Sequence, residues 1–60
     1  MTYNEAFKIA KEGKWLKLPH FEGYFRWDYF QDDFIFINNS FRCKASDLDV
    51  RGRTDFYYIT

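Results

Sequence analysis

Aromatic side chains make up a quarter of this 60-residue chain, as eight Phe, five Tyr and two Trp residues. A domain of about 60 residues buries only roughly 60% of the surface that its unfolded chain exposes. The chain is therefore too short to hide all of these rings in one core. Some of them belong to an interface or a ligand pocket, and the composition indicates a binding protein rather than an enzyme.

The charges balance, with nine basic and nine acidic residues and a formal net charge of zero. That balance disfavours a nucleic-acid partner held by phosphate contacts, because such proteins normally carry a basic excess. The single cysteine, Cys43, excludes an internal disulfide and is typical of a reducing cytosol. No apolar run of about 18 residues could span a membrane, and the first residues lack the pattern of a signal peptide. Small cores without disulfides often need self-association, so we expect a homo-oligomer.

The clearest local signal is the Thr-Tyr-Asn-Glu sequence at residues 2–5. It has the form of a capping box, in which the threonine oxygen and the glutamate carboxylate each accept from a free backbone N–H. Tyr3, Ala6 and Phe7 follow at helical spacing on one side. Gly13 can adopt the left-handed conformation that ends a helix. The pattern predicts an amphipathic helix over residues 2–12.

The rest of the chain is typical of short strands, because apolar runs alternate with Pro, Gly, Asn and Asp turn signals. We predict strands at residues 14–18, 24–30, 34–37, 41–44 and 54–60. Residues 46–50 fit a helical turn and an irregular loop equally well. The fold class is therefore α+β, with one N-terminal helix packed on a small antiparallel sheet of about five strands, and residues 1–60 form a single compact domain.

Alternation in the second strand places Phe25, Trp27 and Tyr29 on one face. Burial in a core is the default use of such a stripe. A stacking platform is the alternative, since rings on a sheet stack nucleobases at about 1–3 kcal/mol each and an arginine fork can hold a phosphate. The rings left over could line an oligomer interface or a pocket; they are Trp15, Phe21, Tyr24, Tyr57 and Tyr58.

Candidate catalytic and metal-binding patterns are incomplete. His20 lies in a predicted turn and Cys43 in a distant strand, with no third group to orient a Cys–His dyad. The segment from Asp47 begins like a calcium loop, but Arg51 occupies a ligand position and Tyr58 stands where a bidentate glutamate is needed. We therefore expect no enzymatic activity, no metal and no cofactor.

Several short motifs together resemble a family of small phage-encoded domains known for Thoeris anti-defence members, which sequester signal nucleotides of the cyclic ADP-ribose type. The matching motifs are Thr-Tyr-Asn-Glu-Ala at 2–6, Glu-Gly-Lys at 12–14, Leu-Pro-His-Phe at 18–21, Glu-Gly-Tyr at 22–24 and Arg-Thr-Asp-Phe-Tyr-Tyr-Ile at 53–59. The chain departs from the family in two ways. Phe21 and Phe56 replace the usual tryptophans, and the middle strands are shortened.

The resemblance implies a non-enzymatic protein of the infected bacterial cytoplasm that sequesters a cyclic nucleotide-type immune signal. It further implies a pocket between the subunits of a homo-oligomer, with Phe21 and Phe56 as ligand-binding rings and Phe7 as a third. On charge grounds we add Arg26 and Arg53, whose guanidinium groups could bind the phosphates.

A direct inhibitor of a host defence protein is the alternative, because the same small domain type also resembles inhibitors of CRISPR effectors. Exposed Trp and Tyr residues would then form the binding hot spot on the host protein. A thermal shift with cyclic nucleotides separates the two functions, since only nucleotide capture predicts one.

Overall fold

The computed structural model describes residues 1–59. The elements in chain order are helix α1 (Tyr3–Lys11), strands β1 (Trp15–Lys17), β2 (Tyr24–Asp28), β3 (Asp33–Ile37) and β4 (Arg42–Lys44), a 3-10 helix (Ala45–Asp47) and strand β5 (Tyr57–Ile59). The predicted strand over residues 54–60 is thus shorter, and its last residue, Thr60, lies outside the described residues. The undecided segment at 46–50 begins within the 3-10 helix.

Helix α1 is capped at both ends as the sequence predicts. The Thr2 hydroxyl accepts from the Glu5 N–H at 3.2 Å, and the Glu5 carboxylate accepts from the Thr2 N–H at 2.9 Å. At the other end Gly13 has a φ of 97°, and its N–H donates to the Ala10 carbonyl at 2.9 Å. The predicted helix over residues 2–12 is confirmed, with Thr2 and Glu12 as its cap residues.

The five strands form one sheet in the order β4-β3-β2-β1-β5, and every neighbouring pair is antiparallel. Helix α1 packs on one face of this sheet, mainly against β2. The predicted α+β class, one helix on a small antiparallel sheet, is confirmed. Within residues 1–59, no helix is both long and apolar enough to cross a membrane.

The sheet face under α1, here called the inner face, carries the core. Phe25 is fully buried and lies within 4.8–5.6 Å, between ring centroids, of three other rings, those of Phe34, Phe36 and Phe56. Edge-to-face and tilted contacts of this kind add to the stabilisation from burial alone. The buried cluster consists of Ala6, Ala10, Leu16, Leu18, Phe25, Trp27, Phe34, Phe36, Ala45, Val50 and Phe56.

Strand β2 ends two residues earlier than its alternation predicts. The Asp28 carboxylate accepts from the N–H groups of Phe30 and Gln31, at 2.9 and 3.2 Å, which folds the chain into a turn. Tyr29 falls within this turn and is 66% exposed. The predicted stripe is therefore reduced to Phe25 and Trp27, and both belong to the core.

Strand β3 is buried on both faces, as its continuous apolar run predicts. Phe34 and Phe36 point into the core. Ile35 points to the opposite side, where it lies in register between Arg26 and Lys44. Long basic side chains can cover an apolar neighbour with their methylene stems, so Arg26 and Lys44 on either side can shield Ile35 from solvent.

Candidate ligand-binding face

The sheet face opposite α1, here called the outer face, has no helix over it in the part of the chain that is described. Its composition follows from the register. Leu16 and Phe25 are paired and buried in the core, so their neighbours along each strand point the other way. The outer face near β1 and β2 therefore carries Trp15, Lys17, Tyr24, Arg26, Tyr57 and Ile59.

A stacked pair of rings forms the centre of this face. Trp15 and Tyr24 lie with ring centroids 4.7 Å apart and an interplanar angle of 7°. The Trp15 side chain remains 45% exposed. The Arg26 guanidinium carbon lies 5.8 Å from the centroid of the Trp15 ring, within the range of a cation–π contact. An aromatic plane and a positive charge are thus presented side by side.

Arg26 is available to an anion because its guanidinium has no carboxylate partner among residues 1–59. Its hydrogen bond is a long one, from Nε to the Trp27 carbonyl at 3.5 Å. The other arginine on this face, Arg42, contacts the Asp28 carboxylate at 2.8 Å. A bidentate arginine fork is the preferred protein donor for phosphate, and Arg26 is the arginine of this face that can offer it.

A cleft of about 170 Å³ adjoins Arg26. It is lined by Gly13, Lys14, Trp15, Arg26, Trp27 and Tyr29, and we call it the basic cleft. Two of these residues are cations and none is a carboxylate, so the cleft favours an anion. Whole small-molecule sites measure about 300–1,000 Å³. The basic cleft therefore offers room for only part of a nucleotide.

Three larger clefts each contain a carboxylate and are less suited to an anion. The smallest of them, of about 270 Å³, has Asp47 beside Arg42 and Lys44, and two are larger still. One, of about 520 Å³, lies between Gly23 and Ser40 and includes Glu22 but no cation. The other, of about 550 Å³, lies beside Tyr3 and Phe7 and contains both Asp33 and Arg51. Their charges do not concentrate positive potential as those of the basic cleft do.

Of the residues that the sequence selects as ligand-binding, Phe21 and Arg53 are brought together. The Arg53 guanidinium carbon lies 5.7 Å from the centroid of the Phe21 ring. Its Nε and Nη2 atoms, however, donate to the two oxygens of Asp55 at 2.9 and 2.6 Å. This pairing raises the pKa of Arg53 and lowers the pKa of Asp55. A phosphate would have to displace Asp55 to use this fork.

The other predicted rings lie on the inner side of the sheet. Phe56 is 2% exposed and contacts Phe25 at 5.2 Å between centroids, so it offers no accessible face in this chain. Phe7 is half-buried on α1, with its ring 5.2 Å from that of Trp27. Arg26 alone among the five lies on the outer face.

From the sequence, the outer-face rings Trp15 and Tyr24 are recognised only as aromatic residues that a small core does not need. The alternation of side chains already indicates these positions. Tyr24 and Arg26 are two residues apart in β2 and so lie on the same face, and Trp15 lies on the face opposite to the buried Leu16. What the sequence lacked was the order of the strands, which places β1 directly beside β2.

The two residues with catalytic potential that the sequence offers, Cys43 and His20, lie in different surroundings. Cys43 is half-buried beside the core, and burial raises the pKa of its thiol, which disfavours the nucleophilic thiolate. His20 is exposed in a turn with a φ of 68°. Residues 1–59 contain no group of three or more His, Cys, Asp or Glu side chains placed to hold a metal ion.

Comparison with known proteins finds no matching family model, no similar curated protein and no similar solved structure. The functional inference therefore depends on the geometry of the outer face and on the motifs of the sequence.

Proposed function

We propose that this protein is a non-enzymatic binding protein that sequesters a planar, anionic ligand of the nucleotide class on its outer face. The family resemblance suggests the biological setting: a phage counter-defence protein that removes a cyclic nucleotide-type immune signal in the cytoplasm of an infected bacterium. The single observation that carries the proposal is the Trp15–Tyr24 stack beside the unpaired Arg26 guanidinium.

Each part of a nucleotide has a complementary group there. A nucleobase can stack against the exposed part of the Trp15–Tyr24 pair, a contact worth about 1–3 kcal/mol. Arg26 can grip a phosphate through two N–H groups. Lys14 adds a second positive charge across the basic cleft.

A second subunit would complete the site. The basic cleft holds about 170 Å³, so a whole nucleotide would extend beyond it. We therefore propose that the working form is a homo-oligomer in which a second copy covers the remainder of the ligand. This agrees with the placement of the pocket between subunits that the resemblance implies.

Thermal shift and titration calorimetry with a small panel of compounds test the proposal. Cyclic ADP-ribose and ADP-ribose should each raise the melting temperature, whereas adenosine, which stacks without charge, should bind at least tenfold more weakly. A ligand at 100 times its Kd adds about 2.7 kcal/mol of stability, an effect that is readily measured. If neither nucleotide shifts the melting temperature, the proposal is wrong.

A matched pair of arginine variants locates the site. Arg26→Gln removes the free fork and should weaken binding by at least tenfold, while Arg53→Gln removes the fork that Asp55 already occupies and should leave affinity nearly unchanged. The opposite ranking would place the ligand beside Phe21 instead.

Direct inhibition of a host defence protein is the second candidate, and one observation favours it. Trp15 and Tyr57 are both exposed on the outer face, which no helix of residues 1–59 covers, and such rings are common interface hot spots. Under this function Trp15→Ala would abolish capture of a purified bacterial effector while no nucleotide changed the melting temperature. If the wild type bound a nucleotide and the effector stayed active in its presence, direct inhibition would be excluded.

A further inference from the structure

The two edges of the sheet differ in charge. Strand β4 forms one edge and carries Arg42 and Lys44. Strand β5 forms the other edge, and its residues Tyr57–Ile59 carry no charge. Among residues 1–59, β5 has only β1 as a neighbour. Natural proteins protect free edges with charges, especially lysine, against pairing with another chain, and β4 is protected in this way whereas β5 is not.

The uncharged edge also leaves apolar side chains exposed on both sides of the sheet. Tyr57 and Ile59 lie on the outer face at 45% and 37% exposure, and Tyr58 lies on the inner side at 48%. Trp15 lies next to Ile59 in register. Helix α1 lies over the centre of the sheet, on β2, β1 and β3, so it leaves Tyr58 uncovered.

We infer that strand β5 is the edge through which a second copy of this chain joins, with the two β5 strands antiparallel and the two sheets continuous. The pairing is isologous, because the same neutral strand meets itself and the contact closes after two copies. Pairing through β4 would instead place Arg42 and Lys44 against the same residues of the other copy, which is destabilising.

A second copy is the fitting occupant because the patch is self-complementary. It is neutral and made of Tyr and Ile side chains, so it supplies no charge with which to select an oppositely charged foreign strand. The two-fold axis stands perpendicular to the joined sheet, so both outer faces lie on the same side. The second copy then places its own Tyr57 ring and Ile59 methyl groups beside Ile59 of the first copy. These groups lie two strands away from Trp15 of the first copy.

The contact area indicates a reversible dimer. A large aromatic side chain buries about 150–250 Å², so the partly exposed Tyr57, Tyr58 and Ile59 contribute on the order of 200–300 Å² per copy. The total lies below the roughly 1,200 Å² of standard interfaces. Backbone hydrogen bonds between the edge strands add to it, and we expect dissociation in the micromolar range or weaker.

Sedimentation velocity of the ligand-free protein over a concentration series tests this inference. The wild type should shift from monomer to dimer between about 1 μM and 1 mM, as expected of a weak interface that is smaller than the standard size. Tyr58→Lys places a charge on the edge and should remain monomeric throughout. Phe30→Lys makes a similar change at a fully exposed residue away from β5 and should dimerise like the wild type. Circular dichroism establishes that both variants fold.

Two results would overturn the inference: a wild type that stays monomeric at 1 mM, or a Tyr58→Lys variant that dimerises as the wild type does. Should Tyr58→Lys fail to fold, amide hydrogen exchange of the wild type replaces it. Protection of the β5 amides should then rise with protein concentration. Protection that did not change with concentration would contradict the inferred β5 pairing. Because no ligand is present, this inference and the proposed function can fail separately.

Discussion

The two faces of the sheet use aromatic residues differently. On the inner face the rings are mainly phenylalanine, packed edge-to-face or tilted around Phe25 and sealed by α1. On the outer face they are Trp15, Tyr24 and Tyr57, whose rings carry polar groups, and two of them stack in parallel beside Arg26. Tyr and Trp are suited to surfaces that are partly apolar and partly wet. The type of ring therefore distinguishes the buried core from the exposed outer face better than the number of rings does.

The largest effect should come from removing a ring of the inner face. Phe25→Ala empties a fully buried site and should cost about 3–5 kcal/mol, which equals the stability that a single core of this size usually supplies. Circular dichroism should therefore show a largely unfolded protein at 25 °C. Tyr24→Ala, the adjacent residue on the outer face, should cost about 1 kcal/mol or less. Equal losses from the two variants would break the distinction between the faces.

The glycine just before β2 gives the next largest effect, because the chain packs there too closely for a side chain. Gly23 has a φ of 135°, and a Cβ there would collide with the Ile37 carbonyl oxygen and lie 2.8 Å from the Phe36 ring. Gly23→Ala should lower the free energy of unfolding by at least about 1–3 kcal/mol. If the pairing register of a strand shifted by one residue, the side chains of each face would move to the other face.

Gly52→Ala is the matched control for this variant, since a Cβ at Gly52 meets nothing within 4 Å. Urea denaturation should find its unfolding midpoint close to that of the wild type. A Gly23→Ala protein as stable as Gly52→Ala would show that β2 and β3 do not approach each other as closely as described.

The smallest effect concerns the cap of the helix that covers the inner face. The Thr2 N–H bonds to the Glu5 carboxylate and lowers the pKa of Glu5. A carboxyl whose pKa is lowered on folding stabilises the fold above its unfolded pKa of about 4.3, and that stabilisation is lost as the pH falls through the folded value. Urea midpoints should therefore drop on acidification below about pH 4, and less steeply in Glu5→Gln. Identical pH profiles would contradict this role of the cap.

The helix and the fold class were predictable because their signals are local. The capping box at Thr2 and Glu5, the spacing of Ala6 and Phe7, and Gly13 at the end each act within a few residues. The end of β2 was not predictable from alternation, since the side chain of Asp28 competes for the next N–H groups and turns the chain.

The candidate site was only partly predictable because it depends on contacts between strands. Arg26 was selected for its charge alone, and its partner ring, Trp15, belongs to another strand. Arg53 was selected for the same reason, its charge. Only the structure reveals that its guanidinium is already paired with the Asp55 carboxylate. Phe56 likewise reads as an available ring until the packing of Phe25 against it is seen.

Side-chain NMR during a titration with cyclic ADP-ribose tests the central claim, that the outer face binds and the inner face does not, most directly. The indole N–H of Trp15 and the Nε–H of Arg26 should shift progressively and saturate together. The Phe21 ring protons and the Nε–H of Arg53 should remain in place. Saturable shifts confined to Phe21 and Arg53, with Trp15 and Arg26 unmoved, would contradict the assignment of function to the outer face.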